Sequence, residues 1–187
     1  IAASNPDGVV LIDEAYVDFG AQSAYRLTEK YDNLLVVQTF SKSRSMAGAR
    51  LGFAFADSGI IEDLEKIKYS TNPYNINRLT QLAGTAALKS GGYFKENCRR
   101  IADTREYVKK ELENMEFTVT ASAANFLFAK SDKIRGKELY LKLKEKGILI
   151  RHFDKERISE YNRITVGSRE EMEAFLKAVR EITEETV

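Results

Sequence analysis

This sequence is short of cysteine, proline and histidine: it has one cysteine, two prolines and one histidine in 187 residues. A single cysteine, Cys98, excludes an internal disulfide and any multi-cysteine metal cluster. Two prolines exclude a proline-rich linker and argue against disorder. The lone histidine, His152, has no acidic partners at ligand spacing, so no metal site is expected, and it reads as an incidental loop residue. Neither sign of charge dominates. With 29 basic and 28 acidic side chains the net charge is +1, which argues against binding nucleic acid by bulk electrostatics. No apolar run approaches the roughly 20 residues that span a bilayer, so no membrane partner is expected. The segment Ile1–Gly8 lacks a basic stretch followed by an apolar one and does not read as a signal peptide. The chain opens on Ile1 rather than methionine, and is read as a piece of a longer polypeptide from a reducing, cytoplasmic compartment.

What is present suffices for a core. Hydrophobic residues make up 43% of the chain, and its length suits one domain or two small ones. Asn5-Pro6-Asp7-Gly8 is a turn signal. Three apolar runs follow: Val9–Ile12, Leu34–Val37 and Gly52–Ala56. Runs without polar alternation predict strands covered on both faces. Only Lys42–Leu51 separates the last two runs, which is too short for a parallel crossover, so the third strand is expected to return antiparallel. Polar residues gather where the first two strands end: Asp13-Glu14-Ala15-Tyr16 and Gln38-Thr39-Phe40-Ser41-Lys42. Ligands of open α/β sheets sit beyond the carboxyl ends of the strands. The antiparallel return brings Arg50 to the same rim, so an acid, an amine and a guanidinium are expected together there.

The rest is mostly helical, then mixed. Helices are predicted at Ile60–Lys68 and Ile76–Lys89, broken by Asn72–Asn75. Gly91-Gly92 punctuates before a long amphipathic helix. Its apolar positions, Phe94, Cys98, Ile101, Val108, Leu112 and Met115, hold one face over roughly six turns, with Cys98 in the core. Arg99-Arg100 and Lys109-Lys110 fall on its solvated face. Strands are predicted at Phe117–Thr120, Asn125–Ala129, Ile148–Ile150 and Arg163–Val166. Helices are predicted at Gly136–Lys146, stopped by Gly147, and at Arg169–Thr183, with Ser168 as N-cap. The fold class is α/β, with domains expected over 1–70 and 116–187 and linking helices over 71–115.

Lys42 follows a buried run and is flanked by hydroxyls, a setting in which a lysine can act as a nucleophile. Taken singly, each rim residue has an ordinary alternative: Lys42 as a solvated loop lysine, Asp13 as a cap or turn residue, Tyr16 as packing, Arg50 as one half of a structural ion pair. Their conjunction is harder to dismiss. Asp13-Glu14-Ala15-Tyr16 followed by Thr39-Phe40-Ser41-Lys42-Ser43-Arg44-Ser45-Met46-Ala47-Gly48-Ala49-Arg50-Leu51-Gly52-Phe53 resembles the pyridoxal-phosphate site of the fold-type-I aminotransferases, most closely the histidinol-phosphate aminotransferase family. The likeness continues through Pro73-Tyr74-Asn75, Asn125-Phe126, Gly147–Arg151 and Arg163–Gly167. It is read as a likeness to the C-terminal half only: part of the large cofactor domain, with its mostly parallel sheet, plus a small C-terminal α/β domain.

The resemblance implies pyridoxal 5'-phosphate as cofactor. It assigns Lys42 as the amine that attaches it and moves the substrate's proton, Asp13 as partner of the pyridine nitrogen, and Tyr16 as partner of the phenolic oxygen. It gives Thr39, Ser41 and Arg50 the cofactor phosphate. Arg163 is assigned the substrate α-carboxylate, Arg151 a distal anion such as the substrate phosphate, and Asn125 the ordering of the carboxylate arginine. Each arginine could instead be an ordinary surface residue. Histidinol phosphate and glutamate or 2-oxoglutarate are the implied small-molecule substrates, in histidine biosynthesis, and a homodimer is the implied assembly. The phosphate-cradling loop and the ring-stacking aromatic of the family have no counterpart in these residues, so the 187 residues alone are expected to be inactive. Two further readings are a related pyridoxal-phosphate enzyme, such as a phosphothreonine decarboxylase or another aminotransferase, and a non-catalytic association module.

Overall fold

The turn at Asn5–Gly8 closes through Gly8 N–H donating to Asn5 O at 3.2 Å. It leads into β1 (Val10–Asp13) in a computed structural model that describes residues 1–184. The Asn33 side-chain amide donates to the carbonyls of Ala2, Asn5 and Gly8, so the start of β2 (Leu34–Thr39) is tied to the start of β1. These two strands pair in parallel, and β3 (Gly52–Phe55) pairs antiparallel to β2, as the short connection requires. The sheet order is β1-β2-β3. One expectation is corrected here. Only the central strand carries a buried apolar run, Leu34–Val36; Leu11 on β1 and Phe53 and Phe55 on β3 are exposed, because both strands lie at the edges of this sheet.

α1 (Ser58–Thr71) starts earlier than the apolar spacing alone suggests, because Asp57 caps it by accepting from Gly59 N–H at 2.8 Å. α2 (Arg78–Lys89) starts later than expected, because Asn77 is its N-cap, accepting from Thr80 N–H at 2.9 Å. A Cβ on Gly84 of α2 would lie 2.5 Å from a Leu51 methyl, so α2 approaches the segment before β3 as closely as glycine permits. α3 (Gly91–Asn114) takes in Gly91 and Gly92 as its first turn, where punctuation had been expected. The side chains Cys98, Val108 and Leu112 of its stripe are buried.

The chain divides into two compact units, Ile1–Cys98 and a second from Arg99 onward, with the boundary inside α3. The expected end of the second domain at Val187 lies outside the described residues.

The second unit is built on an antiparallel sheet in the order β4-β5-β7-β6, from β4 (Phe117–Val119), β5 (Phe126–Ser131), β6 (Arg151–His152) and β7 (Asn162–Thr165). One sheet face, with Phe117, Leu127, Ala129 and Ile164, forms a core with α4 (Gly136–Glu145) and α5 (Arg169–Glu184). Here a second expectation is corrected: Ile148–Ile150 is not a strand. Gly147 takes φ +78° and Ile148 N–H donates back to Leu143 O at 2.9 Å, closing the end of α4. The next residues are used in crossing to the sheet, and pairing begins at Arg151. α5 opens with a reciprocal cap. Glu171 N–H donates to Ser168 Oγ at 3.2 Å, and Ser168 N–H donates to Glu171 Oε2 at 2.7 Å. Ser168→Ala is expected to lower stability by about 1 kcal/mol, read as a lower urea midpoint at unchanged slope.

No described helix is long and apolar enough to cross a membrane.

Candidate active site

β1 and β2 run parallel, so their carboxyl ends, Asp13 and Thr39, open at the same rim. β3 begins at that rim because it runs back. An open cavity of about 340 Å³ lies there, lined by Asp13, Ala15, Val37, Gln38, Thr39, Ser41, Lys42, Ala47 and Arg50. Strand ends alone thus bring together a carboxylate, an amine, a guanidinium and two hydroxyls. Asp13 is fixed by a local turn in which Oδ1 accepts from Ala15 N–H at 3.0 Å. Thr39 Oγ1 donates to Ser41 Oγ at 2.9 Å and accepts from Ser41 N–H at 3.1 Å, which pins the hydroxyl pair next to Lys42. The Lys42 ammonium lies 5.5 Å from the Tyr16 ring centroid, within cation–π range, which puts Tyr16 beside the amine.

The loop from Lys42 to Arg50 is held on both sides. Ser43 Oγ donates to Asp18 Oδ2 at 2.5 Å. The Arg44 guanidinium stacks 3.9 Å from the Phe94 ring centroid and donates to Ala87 O at 3.1 Å. Two non-glycine residues of the loop, Ser45 (φ 56°) and Arg50 (φ 52°), are left-handed. Such strain persists only where the surroundings impose it. Arg50 Nη1 donates to Ala47 O at 3.1 Å. Cys98 is buried, and burial pushes its thiol above the ordinary range, with Asp18 adding to the rise and Arg44 opposing it. That makes it a core thiol and not a nucleophile.

The second unit holds the other anticipated residues. Register places Arg151 directly opposite Arg163 on β6 and β7, and Arg163 opposite Phe128 on β5, so both arginines stand on the sheet face away from the core. Like charges directly opposite each other destabilise a sheet. Arg163 Nε is also buried with no hydrogen-bond partner. An anion would relieve both. The Arg163 and Arg151 guanidiniums lie 5.3 Å and 5.5 Å from the rings of Phe126 and Phe153. Asn125 precedes β5, and its carbonyl accepts from Val166 N–H at 2.9 Å.

His152 is not the loop residue its position suggested. It lies on β6 with its side chain 7% exposed, and its Nδ1 is 3.2 Å from Asn162 Oδ1. The register turns it to the helix face, where it stacks on Tyr140 of α4. Residues with no assigned role at the first unit's rim also matter: Glu14, Ser23 and Gln38 form a hydrogen-bonded group beside Asp13 and Tyr16. The one local sign of it was Gln38, which breaks the apolar run Leu34–Val37 within β2.

Comparison with known proteins agrees with this geometry. The model of the family "Aminotransferase class I and II" matches residues 1–179. Histidinol-phosphate aminotransferase of Brachyspira hyodysenteriae is 51% identical over 183 residues, 97% of this chain and 52% of that protein. The Clostridium beijerinckii enzyme of the same name is 49% identical over 95% of this chain and 49% of its own length. The crystal structure of histidinol-phosphate aminotransferase from Clostridium acetobutylicum superposes with a TM-score of 0.87 at 26% identity, over 98% of this chain and 56% of that one. The Sinorhizobium meliloti enzyme, solved in complex with pyridoxal-5'-phosphate, gives 0.82 at 25% identity, over 96% of this chain and 50% of that one. The fold is therefore that of the fold-type-I aminotransferases. The expected likeness to a C-terminal half only is corrected by these matches, which take in nearly the whole of this chain. The chain spans about half the length of the curated relatives it matches. A rim that gathers Asp13, Lys42 and Arg50 and a family match over residues 1–179 lead to one conclusion: this chain belongs to the class I and II aminotransferase family.

Proposed function

We propose that the whole protein is a pyridoxal-phosphate-dependent aminotransferase that exchanges an amino group between histidinol phosphate and 2-oxoglutarate in histidine biosynthesis. The observation that carries this reading is the single cavity lined by Asp13, Thr39, Ser41, Lys42 and Arg50. Its donor set fits pyridoxal 5'-phosphate: an amine for the aldehyde, a carboxylate for a ring N–H, and hydroxyls and a guanidinium for the phosphate. When bound, the cofactor supplies an aldehyde and an electron-withdrawing ring. Lys42 Nζ would hold it and carry the substrate proton. The Asp13 carboxylate would accept a hydrogen bond from the ring N–H. Tyr16 would orient the ring through its hydroxyl. Thr39, Ser41 and Arg50 would hold the phosphate.

In this reading the first unit is the cofactor-binding part and the second the small domain that recognises substrate. Arg163 takes the α-carboxylate of glutamate, Arg151 the distal anion of either substrate, and Asn125 orders the carboxylate arginine. The opposed arginines and the unpaired Arg163 Nε support this. A homodimer completes the proposal. It is supported by the large apolar side chains left in solvent, among them Tyr69, Leu79 and Leu82.

The test is amino-group transfer by the whole protein. Charge-assisted hydrogen bonds contribute about 1.5–3 kcal/mol, so Arg163→Ala is expected to lower kcat/KM for glutamate roughly ten- to a hundredfold. Arg151→Ala should reduce kcat/KM for histidinol phosphate at least as much as for glutamate. Wild-type rates with both variants would remove the second unit from substrate recognition.

A further inference from the structure

Glu14 follows Asp13 directly and is 8% exposed. Its carboxylate accepts three hydrogen bonds: from Ser23 Oγ at 2.5 Å, Ala24 N–H at 2.6 Å and Gln38 Nε2 at 2.8 Å. Ser23 Oγ in turn accepts from Gln38 Nε2 at 3.2 Å and Tyr25 N–H at 3.2 Å, so the group is closed. The partners come from two places. Ser23 and Ala24 end the loop that leaves β1, and Gln38 sits on β2. Glu14 is joined to β2 a second time by its own N–H, which donates to Val37 O at 2.8 Å. Gln38 lines the cavity that holds Lys42 and also a second cavity of about 350 Å³ bounded by Val17, Asp18, Ser23 and Tyr25. Gln38 is therefore common to both cavities, and Glu14 holds its side-chain amide in place. Losing this carboxylate would cost desolvation at the donors it now satisfies, so the group holds the segment after β1 firmly to β2.

We infer that Glu14 is a positioning residue for the cofactor groups, locking Asp13 and Tyr16 on either side of it to β2 so that both address the Lys42 cavity in one orientation. This rests on the pyridoxal-phosphate reading above. Glu14 touches neither cofactor nor substrate. It acts through the residues one place before and two places after it.

The test compares Glu14→Ala, Glu14→Gln and Gln38→Leu in the whole protein. Glutamine keeps the hydrogen-bonded group intact, because the Gln38 amide can turn over and the Ser23 hydroxyl can rotate to accept. Alanine removes the acceptor of all three donors and leaves the Ala24 N–H without its partner. Two measurements are made: amide hydrogen exchange over 15–24, and the pH profile of absorbance after pyridoxal phosphate is added, with borohydride capture and peptide mapping to locate the label. Glu14→Ala is expected to raise exchange at the Ala24 amide by about tenfold or more. It should also move the absorbance midpoint toward that of pyridoxal phosphate condensed with a free lysine. Gln38→Leu should do the same to a smaller extent, and Glu14→Gln should match wild type in both. Faster exchange with an unmoved midpoint would overturn the inference, leaving Glu14 a loop anchor. So would a Glu14→Gln variant as disturbed as Glu14→Ala. Wild-type protein that is not labelled at Lys42 would overturn the cofactor reading itself, an outcome distinct from wild-type labelling with indifferent variants.

Discussion

Lys42→Ala is expected to abolish borohydride-stable incorporation of pyridoxal phosphate and to lower amino-group transfer by about 10²–10⁴-fold, the range attributed to a positioned acid–base group. Lys42 is the one amine lining the rim cavity, so no neighbour there can replace it. The fold should not change. Lys42 is exposed, and its side-chain contact with the Tyr16 ring, at 5.5 Å, is worth on the order of 0.5–1 kcal/mol at an exposed site. Circular dichroism and the urea midpoint should therefore stay near wild type while the label disappears from the peptide carrying residue 42. Lys42→Arg should not restore the label, because a guanidinium does not lose its proton near neutral pH. Undiminished labelling of Lys42→Ala would place the cofactor amine elsewhere and end the assignment.

Gly136→Ala is expected to produce the largest loss of stability. A Cβ there would lie 2.6 Å from Glu160 O and 2.8 Å from Ser159 O, both backbone atoms that cannot step aside singly. The Gly136 backbone is committed as well. Its carbonyl accepts from the Asn162 side-chain amide at 2.8 Å, and its N–H donates to Glu160 Oε2 at 3.1 Å. Making room for a methyl separates the start of α4 from the turn before β7 and strands Asn162, which is 1% exposed. Overpacking costs about 1–3 kcal/mol, and a stranded buried polar group costs a similar amount. The expected sum is about 3 kcal/mol, a fall in Tm of roughly 10–20 °C for a unit of this size. Gly92→Ala is the control: it lies in the first turn of α3 with nothing within 4 Å, and should be neutral or stabilising by up to about 1 kcal/mol. Thermal melts of the two variants check the argument. Equal melting points would mean the approach at Gly136 is not tight.

Much of the rim was legible because strand ends are local facts. Apolar runs fix where Asp13 and Thr39 fall, and a connection too short for a crossover forces β3 back to bring Arg50 alongside. The likeness to known aminotransferases assigned roles to these residues, and the cavity brings five of them together without testing those roles. What stayed hidden depends on side chains meeting across long separations. Glu14 meets Ser23 nine residues away and Gln38 twenty-four away, and no short motif encodes such a group. His152 looked incidental because its environment is set by register: one residue's shift would have turned it to the other face. Ile148–Ile150 looked like a strand because it is wholly apolar, yet Ile148 and Ile150 pack half-buried against the core, Leu149 is exposed, and the Ile148 N–H closes the end of α4. Gly91 and Gly92 looked like a stop because glycine weakens helix interiors, yet in a first turn that weakness matters little.

Arg50 holds its backbone at φ 52°, ψ 42°, a region where glycine would be at ease and arginine carries a penalty of about 1 kcal/mol or more. With Arg50 in its proposed role of holding the cofactor phosphate, stability and ligand affinity pull in opposite directions at this one position. A glycine would relax the loop and discard the guanidinium; an arginine keeps the charge and leaves the native state poorer by the strain. Screens for heat tolerance and screens for cofactor retention would rank residues at position 50 in opposite orders. A library selected on melting temperature alone would tend to drift toward a sturdier, weaker-binding protein.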